Sequence, residues 1–521
     1  MSIFVDALKK EADQALPNVS VTENGAIGKA TTGKALLDIN FALSSMRNMS
    51  DNEIWNKFLL AYNEDPFIAI LWLFFARDVR EGCGERRVFR VIFKQLCYEN
   101  DTVAMKLLPL IPFYGRWDDL TDVFFGEVPC KIREEVLDII RDQLEQDLDN
   151  ARMKRSVSLL AKWLPSANTS SRETRRRAEE LRTALGWTPK QYRKTLSRLR
   201  SYIGVVEQNM SANEWSEIHY ESVPSRAAMN YRDAFARHDG DRYNEYLSYV
   251  KEGKAKINAG VLFPYDIVHA YCKDGRIHGV DATLEEQWKA LPNKVPENGS
   301  TLVVVDGSGS MCARVGNTNV SCHDVARSLG IYFSEKLSEP FADTFITFSA
   351  HPKFVRFNAG LTLNGKLKLL EEFDECANTN VEAVFDLILE TAVKNHLRQD
   401  EIPANVLILS DMEFDAATYR GGYGWCGASE ARGPVDKDLF DSIAERWNYA
   451  GYKFPRLIFW NVCSRTGTIP VTTNELGVAL VSGFSPNIAD MVMSTELDPY
   501  KCLVDKLTSD RYKQVADALK E

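Results

Sequence analysis

The sequence predicts a chain of two parts, a helical-repeat region followed by a Rossmann-like α/β domain with a mostly parallel sheet. Three observations predict this fold class. Apolar residues recur at helical spacing through residues 30–289, and short apolar strands alternate with helices in residues 301–521. Residues 290–300 between these regions are rich in Pro, Asn and Gly, which is typical of a linker. Residues 1–29 are then an N-terminal extension.

The helical pattern in the N-terminal region is clearest at residues 54–60, 67–75, 88–96 and 132–144. Short turn sequences such as Asn63-Glu-Asp-Pro66 separate the predicted helices. Many short helices in series favour an α-solenoid with HEAT-like repeats. An irregular helical bundle is the alternative, because no fixed repeat period stands out.

The C-terminal region has apolar segments typical of strands that are buried on both faces. We predict strands at 301–305, 344–348, 354–357, 406–409, 457–462 and 478–481, and helices at 325–337, 366–373, 381–393, 439–447 and 498–519. Ligands of such sheets bind at the carboxyl ends of the strands, so the loops that follow the strands are the place to look for a site.

The composition is that of an ordinary globular protein. The 521 residues are 45% hydrophobic and 26% charged, and no run of 18 apolar residues suggests a membrane span. The first residues lack the apolar core of a signal peptide. The ten cysteines form no C-x-x-C pair and no zinc-type cluster, so we expect reduced thiols and a cytoplasmic protein.

A candidate metal site follows the first and fourth strands of the predicted sheet. The first strand ends in Asp306-Gly-Ser308-Gly-Ser310, and the fourth ends before Asp411. Thr379, just before a predicted helix, adds a third hydroxyl. Hard oxygen ligands with little negative charge suit Mg²⁺ or another divalent cation. The alternative is that Ser308 and Ser310 only cap the following helix.

Catalytic interpretations of this loop fail on individual residues. An aspartyl-phosphatase loop needs a second Asp where Ser308 stands, and a dinucleotide loop needs a third Gly where Cys312 stands. No nucleophile elbow and no Walker A motif are present. His323 is the nearest histidine in sequence, and we expect it on the surface of the first helix. The sequence therefore predicts a binding protein rather than an enzyme.

The five residues Asp306, Ser308, Ser310, Thr379 and Asp411 resemble the metal-ion-dependent adhesion site of von Willebrand factor A domains. The pattern D-x-S-x-S, a later Thr and an Asp after an apolar strand occurs in the same order here. The resemblance implies a cation with an open coordination position for a carboxylate of a partner protein or another oxygen. The loop at 419–427 follows Asp411, and we expect its aromatic residues either to contact a ligand or to pack back on the sheet.

A basic island lies within this acidic chain of net charge −10. Residues 152–200 hold ten Arg, four Lys and three acids, a net charge of +11. Two predicted helices present most of the cations, and such a surface suits a phosphate backbone. A solvated face, or a face docked on the acidic C-terminal domain, is the alternative. The candidate nucleic-acid-binding residues are Arg172, Arg175, Arg176, Arg177, Arg182, Lys190, Arg193, Lys194, Arg198 and Arg200.

The order of the two regions resembles that of TROVE-domain proteins, the group of the Ro autoantigen. The resemblance includes three phrases, Phe75-Ala-Arg-Asp-Val-Arg-Glu-Gly-Cys-Gly-Glu-Arg86, Tyr114-Gly-Arg-Trp-Asp-Asp-Leu120 and Lys162-Trp-Leu-Pro165. Cys83 departs from the pattern, which has a Lys-type residue there. The resemblance implies a ring of helical repeats closed by the A domain, with small non-coding or misfolded RNAs as partners.

Three functions remain in competition at this stage. The leading hypothesis is a monomeric, non-catalytic RNA-binding protein, since a protein-adhesion module has no need of the basic island. A metal-dependent protein-interaction scaffold is the second. A metal-dependent phosphohydrolase is the third, and it is disfavoured because no residue near Asp306 suggests a general base.

Overall fold

The structure is a computed structural model, in which the described residues are 18–272, 276–295, 300–316, 318–348, 351–373, 379–415, 418–419, 433–434, 439–472, 477–489 and 498–520. They form two compact units. The sheet unit holds the described residues up to Met49 and those from Asn293 to Asp505. The helical unit holds Ser50–Pro292 together with the described residues from Lys506 onward.

The N-terminal residues of the chain belong to the sheet unit. They form the strand pair β1 (Ser20–Val21) and β2 (Ile27–Gly28) and the helix α1 (Ala35–Ala42). Helix α1 is apolar, and the loop after it is fastened to the large sheet, since Ser44 and Ser482 share a hydrogen bond of 2.6 Å between their hydroxyls. Residues 30–49 therefore lie outside the unit to which the sequence pattern assigned them, because their apolar side chains are buried on the sheet.

The helical unit is built from many short helices. They are α2 (Asp51–Glu64), α3 (Pro66–Arg77), α4 (Arg86–Glu99), α5 (Asp101–Leu107), α6 (Ile111–Tyr114), α7 (Trp117–Phe125), α8 (Cys130–Arg152), α9 (Leu160–Trp163), α10 (Arg172–Ala184), α11 (Pro189–Ile203), α12 (Val206–Ala212), α13 (Ser225–His238), α14 (Gly240–Lys251), α15 (Pro264–Tyr271) and α16 (Ala282–Lys289). The predicted helical character of this region is confirmed. A repeat period and a ring stay predictions.

A buried helix and two ion pairs organise this unit. Helix α3 is buried along nearly its whole length. At its end the buried Arg77 pairs with Asp119 at 2.6 Å, and the neighbouring Asp78 accepts two hydrogen bonds from Arg511 at 2.7 and 2.9 Å. A carboxylate removed from water is tolerated only with such partners. Arg511 thereby ties the C-terminal residues into the helical unit.

The sheet unit carries a six-stranded mixed sheet. Its strands are β3 (Thr301–Asp306), β4 (Thr344–Phe348), β5 (Lys353–Arg356), β6 (Asn405–Ser410), β9 (Arg456–Asn461) and β10 (Val478–Ser482), in the order β10-β9-β6-β3-β4-β5. A separate pair is formed by β7 (Thr418–Tyr419) and β8 (Gly433–Pro434). All neighbours in the large sheet are parallel except β4 and β5. The predicted α/β pattern with a mostly parallel sheet is confirmed.

The helices of the C-terminal part are α17 (Cys322–Lys336), α18 (Leu363–Glu371), α19 (Val381–Lys394), α20 (Leu439–Tyr449), α21 (Pro499–Leu507) and α22 (Lys513–Lys520). The single final helix predicted at 498–519 is wrong. Helix α21 ends at Leu507. Ser509 then has an extended backbone and precedes a short 3-10 turn at Asp510–Tyr512, after which α22 begins.

Candidate metal centre and basic helix surface

The candidate metal residues start from two adjacent central strands of the large sheet. Strands β3 and β6 run parallel, with Val305 opposite Leu409, so Asp306 and Asp411 lie at the same edge. Both carboxyl groups are fully buried. The Ser410 hydroxyl donates a hydrogen bond of 2.6 Å to Oδ2 of Asp306, which links the two strand ends directly.

The loop after β3 turns its polar groups toward these carboxylates. The backbone N–H of Ser308 donates to Oδ1 of Asp306 at 2.9 Å, and the hydroxyls of Ser308 and Ser310 share a hydrogen bond of 2.9 Å. Ser310 is also hydrogen-bonded to Asp411. The capping alternative is not supported, because Ser308 precedes a short 3-10 turn at Gly309–Cys312 without making a side-chain cap hydrogen bond, and the cap of α17 is Ser321, whose hydroxyl accepts from the N–H of Asp324 at 3.1 Å.

Thr379 reaches this edge from the start of α19. It is buried, its carbonyl accepts from the N–H of Asp415 at 3.0 Å, and its hydroxyl accepts from the amide of Asn24 at 3.2 Å. The structure thus joins Asp306, Ser308, Ser310 and Asp411 by direct hydrogen bonds or a shared edge. Thr379 is linked to the segment that follows Asp411, through Asp415 and through Asn24, whose amide also donates to the Glu413 carbonyl.

The two buried carboxyl groups of Asp306 and Asp411 are unfavourable when both are ionised, because they are removed from water and repel each other. Burial, followed by the negative charge of Asp411, raises the pKa of Asp306 to about 7. Burial also raises the pKa of Asp411, and the positive charge of Arg465 opposes that rise. Two buried carboxylates surrounded by hydroxyls are a hard-oxygen donor set, so the residues present fit a divalent cation. The described residues contain no group of three or more His, Cys, Asp or Glu side chains placed to hold a metal ion, so the candidate site depends on two carboxylates and hydroxyl groups.

Arg465 and Glu413 are residues of this site that the sequence reasoning missed. Arg465 Nη1 lies 3.1 Å from Oδ2 of Asp411, and its Nη2 lies 2.8 Å from the carboxylate of Glu23. The buried Glu413 carboxylate accepts from the N–H groups of Arg465 and Thr466 at 2.7 and 2.9 Å. The sequence contained a signal for Arg465, because β9 is predicted to run parallel to β6 and the loop after it therefore begins at the same sheet edge.

The ten candidate cations of the basic island lie on two helices, α10 and α11. Helix α11 begins as its sequence predicts, with Thr188 and Gln191 forming a reciprocal cap and Pro189 in the first turn, and it ends at Gly204 with φ +68°. Tyr192, Leu196 and Leu199 are buried. The opposite side of α11 is exposed and basic.

Four cations on α11 define the surface called here the α11 stripe. Lys190, Arg193, Lys194 and Arg198 are exposed, and none of them pairs with a carboxylate of the described residues. On α10, Arg172 and Arg175 likewise lack a carboxylate partner in the described part of the chain, although Arg175 donates to the carbonyl of Thr169 at 2.6 Å.

Three candidate cations of α10 are partly neutralised within their own helix. Arg176 and Arg177 both pair with Glu173, at 2.8 and 3.0 Å, and this pairing lowers the pKa of Glu173 to about 2. Arg182 pairs with Glu179 and also donates to the carbonyl of Trp187. These exposed pairs leave less free charge for a ligand than the α11 stripe does.

Arg200 differs from the other predicted RNA-binding residues. Its guanidinium donates to the carbonyls of Ala161 and Leu164 at 2.8 and 2.7 Å and to the Ser166 hydroxyl at 2.7 Å. Burial lowers its pKa. The structure therefore makes Arg200 a brace between α11 and the segment around α9, which corrects its assignment to a phosphate-binding face.

The other sequence predictions near the site have different outcomes. His323 is half-buried rather than fully on the surface, and burial lowers its pKa to about 3. The loop at 419–427 lies outside the described residues, apart from Tyr419 in β7.

No helix among the described residues is both long enough and apolar enough to cross a membrane.

Comparisons with known proteins match both parts of the chain. Residues 300–516 match a family model described as a domain of unknown function (DUF7788), and residues 169–301 match a second one, DUF2828. The chain is 28% identical over 516 residues to "Uncharacterized protein L728" of Acanthamoeba polyphaga mimivirus, an alignment that covers 92% of this chain and 86% of that protein.

Among solved structures, the crystal structure of the Deinococcus radiodurans Ro (RSR) protein aligns with a TM-score of 0.45 and 12% identity, over 92% of this chain and 99% of that one.

Proposed function

We propose that this chain is a non-catalytic RNA-binding protein whose helical unit contacts the phosphate backbone through the α11 stripe. The observation that carries the proposal is the stripe itself, in which Lys190, Arg193, Lys194 and Arg198 are exposed without carboxylate partners among the described residues. The remainder of the chain is acidic, so this concentration of free positive charge is local.

The arrangement of the stripe suits a polyanion. Lys190, Lys194 and Arg198 follow one another at intervals of four residues, which places them on one face of α11. Cations in such a row neutralise successive phosphates and release condensed counterions, which drives binding that weakens as salt rises. Arg172 and Arg175 on the adjacent α10 extend the positive surface.

The stripe would suit any polyanion. The resemblance to TROVE-domain proteins supports RNA as the polyanion that it binds. The proposed partners are small non-coding or misfolded RNAs, and the proposed state is a cytoplasmic monomer. The exposed side chains of the basic island are mainly positively charged. In the proposed binding they therefore contact the phosphate backbone of the RNA more than the edges of its bases.

The sheet unit of the proposed protein binds Mg²⁺ or another divalent cation. Asp306 and Asp411 would hold the cation together with the hydroxyls of Ser308, Ser310 and Thr379. When bound, the cation supplies an electropositive coordination position for an oxygen of a ligand. Asp306 is kept in place by Ser410, and Glu413 orders the loop that carries Arg465.

A direct test compares RNA binding by the wild type and by a variant with all four stripe residues changed to Glu. The probes are a fluorescent structured RNA with a single-stranded 3′ tail and a blunt duplex of the same stem. The matched control is Lys251→Glu, Lys254→Glu, Lys368→Glu and Lys394→Glu, which changes the net charge equally at other exposed positions.

The proposal predicts tight binding of the tailed RNA by the wild type and the control, and much weaker binding by the stripe variant. Equal loss in the control and the stripe variant would show that only net charge matters. If neither RNA binds at low salt, the second candidate takes precedence. That candidate, a scaffold whose cation captures a partner carboxylate, is favoured by the hard-oxygen set at the sheet edge.

A further inference from the structure

Arg465 places a fixed positive charge at the candidate cation site. Its Nη1 is 3.1 Å from Oδ2 of Asp411, which is fully buried, and burial strengthens the electrostatic interaction between them. The backbone of Arg465 is held independently, because its N–H donates to the buried carboxylate of Glu413 at 2.7 Å. The guanidinium therefore lies beside Asp411, one of the two proposed carboxylate ligands. The backbone of Arg465 does not need this ion pair to stay in place.

The same guanidinium has a second carboxylate within reach. Nη2 of Arg465 lies 2.8 Å from Glu23, whose side chain is 48% exposed. Glu23 is held in place by its backbone N–H, which donates to Glu413 at 2.9 Å, and by the neighbouring Asn24, whose amide donates to the Glu413 carbonyl at 2.7 Å. Arg465 thus bridges a buried acid and a partly exposed one.

We infer that Arg465 sets the divalent-cation affinity of this site by competing for Asp411, and that Glu23 assists cation binding by holding the guanidinium in its second ion pair. The inference rests on the proposed cation site. A guanidinium at Asp411 repels a divalent cation and occupies an acceptor oxygen that a cation needs. When Asp411 binds a cation, Arg465 still has its ion pair with Glu23. The guanidinium is therefore not left without a carboxylate partner.

The two residues are predicted to act in opposite directions. Removal of the charge in Arg465→Gln is expected to tighten cation binding by at least about tenfold, because repulsion at this range in a buried site is strong. Arg465→Lys keeps the charge but loses the planar guanidinium that reaches both carboxylates, so we expect it to tighten cation binding less than Arg465→Gln does. Glu23→Gln is expected to weaken cation binding, since Arg465 then has only Asp411.

The experiment measures Mn²⁺ affinity by electron paramagnetic resonance and Mg²⁺ affinity by calorimetry on the full chain. The variants are Arg465→Gln, Arg465→Lys, Glu23→Gln and the double variant of Arg465→Gln with Glu23→Gln. If Glu23 acts through Arg465, its substitution has a much smaller effect in the Arg465→Gln background than in the wild type. A merely structural role of Glu23 would give equal effects in both backgrounds.

Failure of the inference and failure of the cation site give different results. Cation binding that is lost in Asp306→Asn but unchanged in Arg465→Gln and Glu23→Gln would overturn the inference and leave the site standing. Absence of cation binding in the wild type and in Arg465→Gln alike would overturn both. Should Arg465→Gln fail to fold, Glu23→Gln decides, and an unchanged affinity there overturns the proposed competition.

Discussion

Ser410 and Asp306 are joined by a hydrogen bond of 2.6 Å that connects the ends of two adjacent strands, β6 and β3. The same Ser410 hydroxyl accepts from the N–H of Met412 at 2.9 Å. One side chain therefore satisfies a buried carboxylate and shapes the backbone on which Asp411 is carried. The candidate site is consequently tied into the hydrogen bonding at the end of the sheet.

Substitution of Ser410 by Ala tests the structural weight of this hydroxyl. We expect the free energy of unfolding to fall by about 1–3 kcal/mol, because a buried carboxylate loses a donor and a buried N–H loses its acceptor. Urea denaturation measures it. The matched control is Ser328→Ala, where an equally buried hydroxyl donates to the carbonyl of Val325 in its own helix at 2.8 Å and contacts no carboxylate of the described residues. Equal losses in the two variants would contradict this role.

Divalent cations are expected to stabilise the wild type against heat. A cation present at about a hundred times its dissociation constant adds about 2.7 kcal/mol to the free energy of unfolding when it binds the folded state alone. Thermal unfolding with Mg²⁺ and with a chelator measures the difference. Asp306→Asn and Asp411→Asn should lose it, whereas Asp343→Asn should keep it. A stabilisation that survives both site substitutions would place the cation elsewhere.

Arg200 and Arg198 provide a comparison within one helix. Arg200→Ala removes three hydrogen bonds to the segment around α9, so we expect a loss of about 1.5–3 kcal/mol in the free energy of unfolding. Arg198→Ala should change that free energy by less than about 0.5 kcal/mol and should weaken RNA binding instead. Urea denaturation and RNA titration of both variants separate the two roles. The reverse pattern would contradict the assignment.

His323 is expected to make the free energy of unfolding depend on pH. Burial, reinforced by the charge of Arg327, lowers its folded-state pKa from 6.5 to about 3, so the unfolded chain binds the proton more readily. Its contribution to stability is present above pH 6.5 and is lost as the pH falls toward 3. The difference in unfolding free energy between wild type and His323→Gln should therefore change by up to about 1.4 kcal/mol per pH unit in this window. A difference independent of pH would contradict the burial of a neutral imidazole.

The sequence predicts the sheet and the main site residues because local patterns determine them. Apolar strands such as Thr301–Asp306 are recognisable without tertiary information, and parallel strands bring their carboxyl ends to one edge. Asp306 and Asp411 could therefore be predicted to meet.

Glu23 and Arg465 could not be paired from the sequence, because they are far apart in the chain and meet only through the packing of the N-terminal segment. The same limit applies to the basic island. Arg198 and Arg200 are two residues apart and contribute equally to a charge count, yet Arg198 has no carboxylate partner among the described residues and Arg200 donates to backbone carbonyls. The break after Leu507 was missed because a helical pattern continues on both sides of it.

The salt dependence of binding to the 3′-tailed RNA tests the central claim most directly, since its slope counts the phosphates that the protein neutralises. The stripe variant, with Lys190, Arg193, Lys194 and Arg198 changed to Glu, should bind with a logarithmic slope at least about three units shallower than that of the wild type. The charge-matched control should keep the wild-type slope. Equal slopes for the wild type and the stripe variant would show that these four residues contact no phosphate, and the account of α11 as an RNA-binding surface would be wrong.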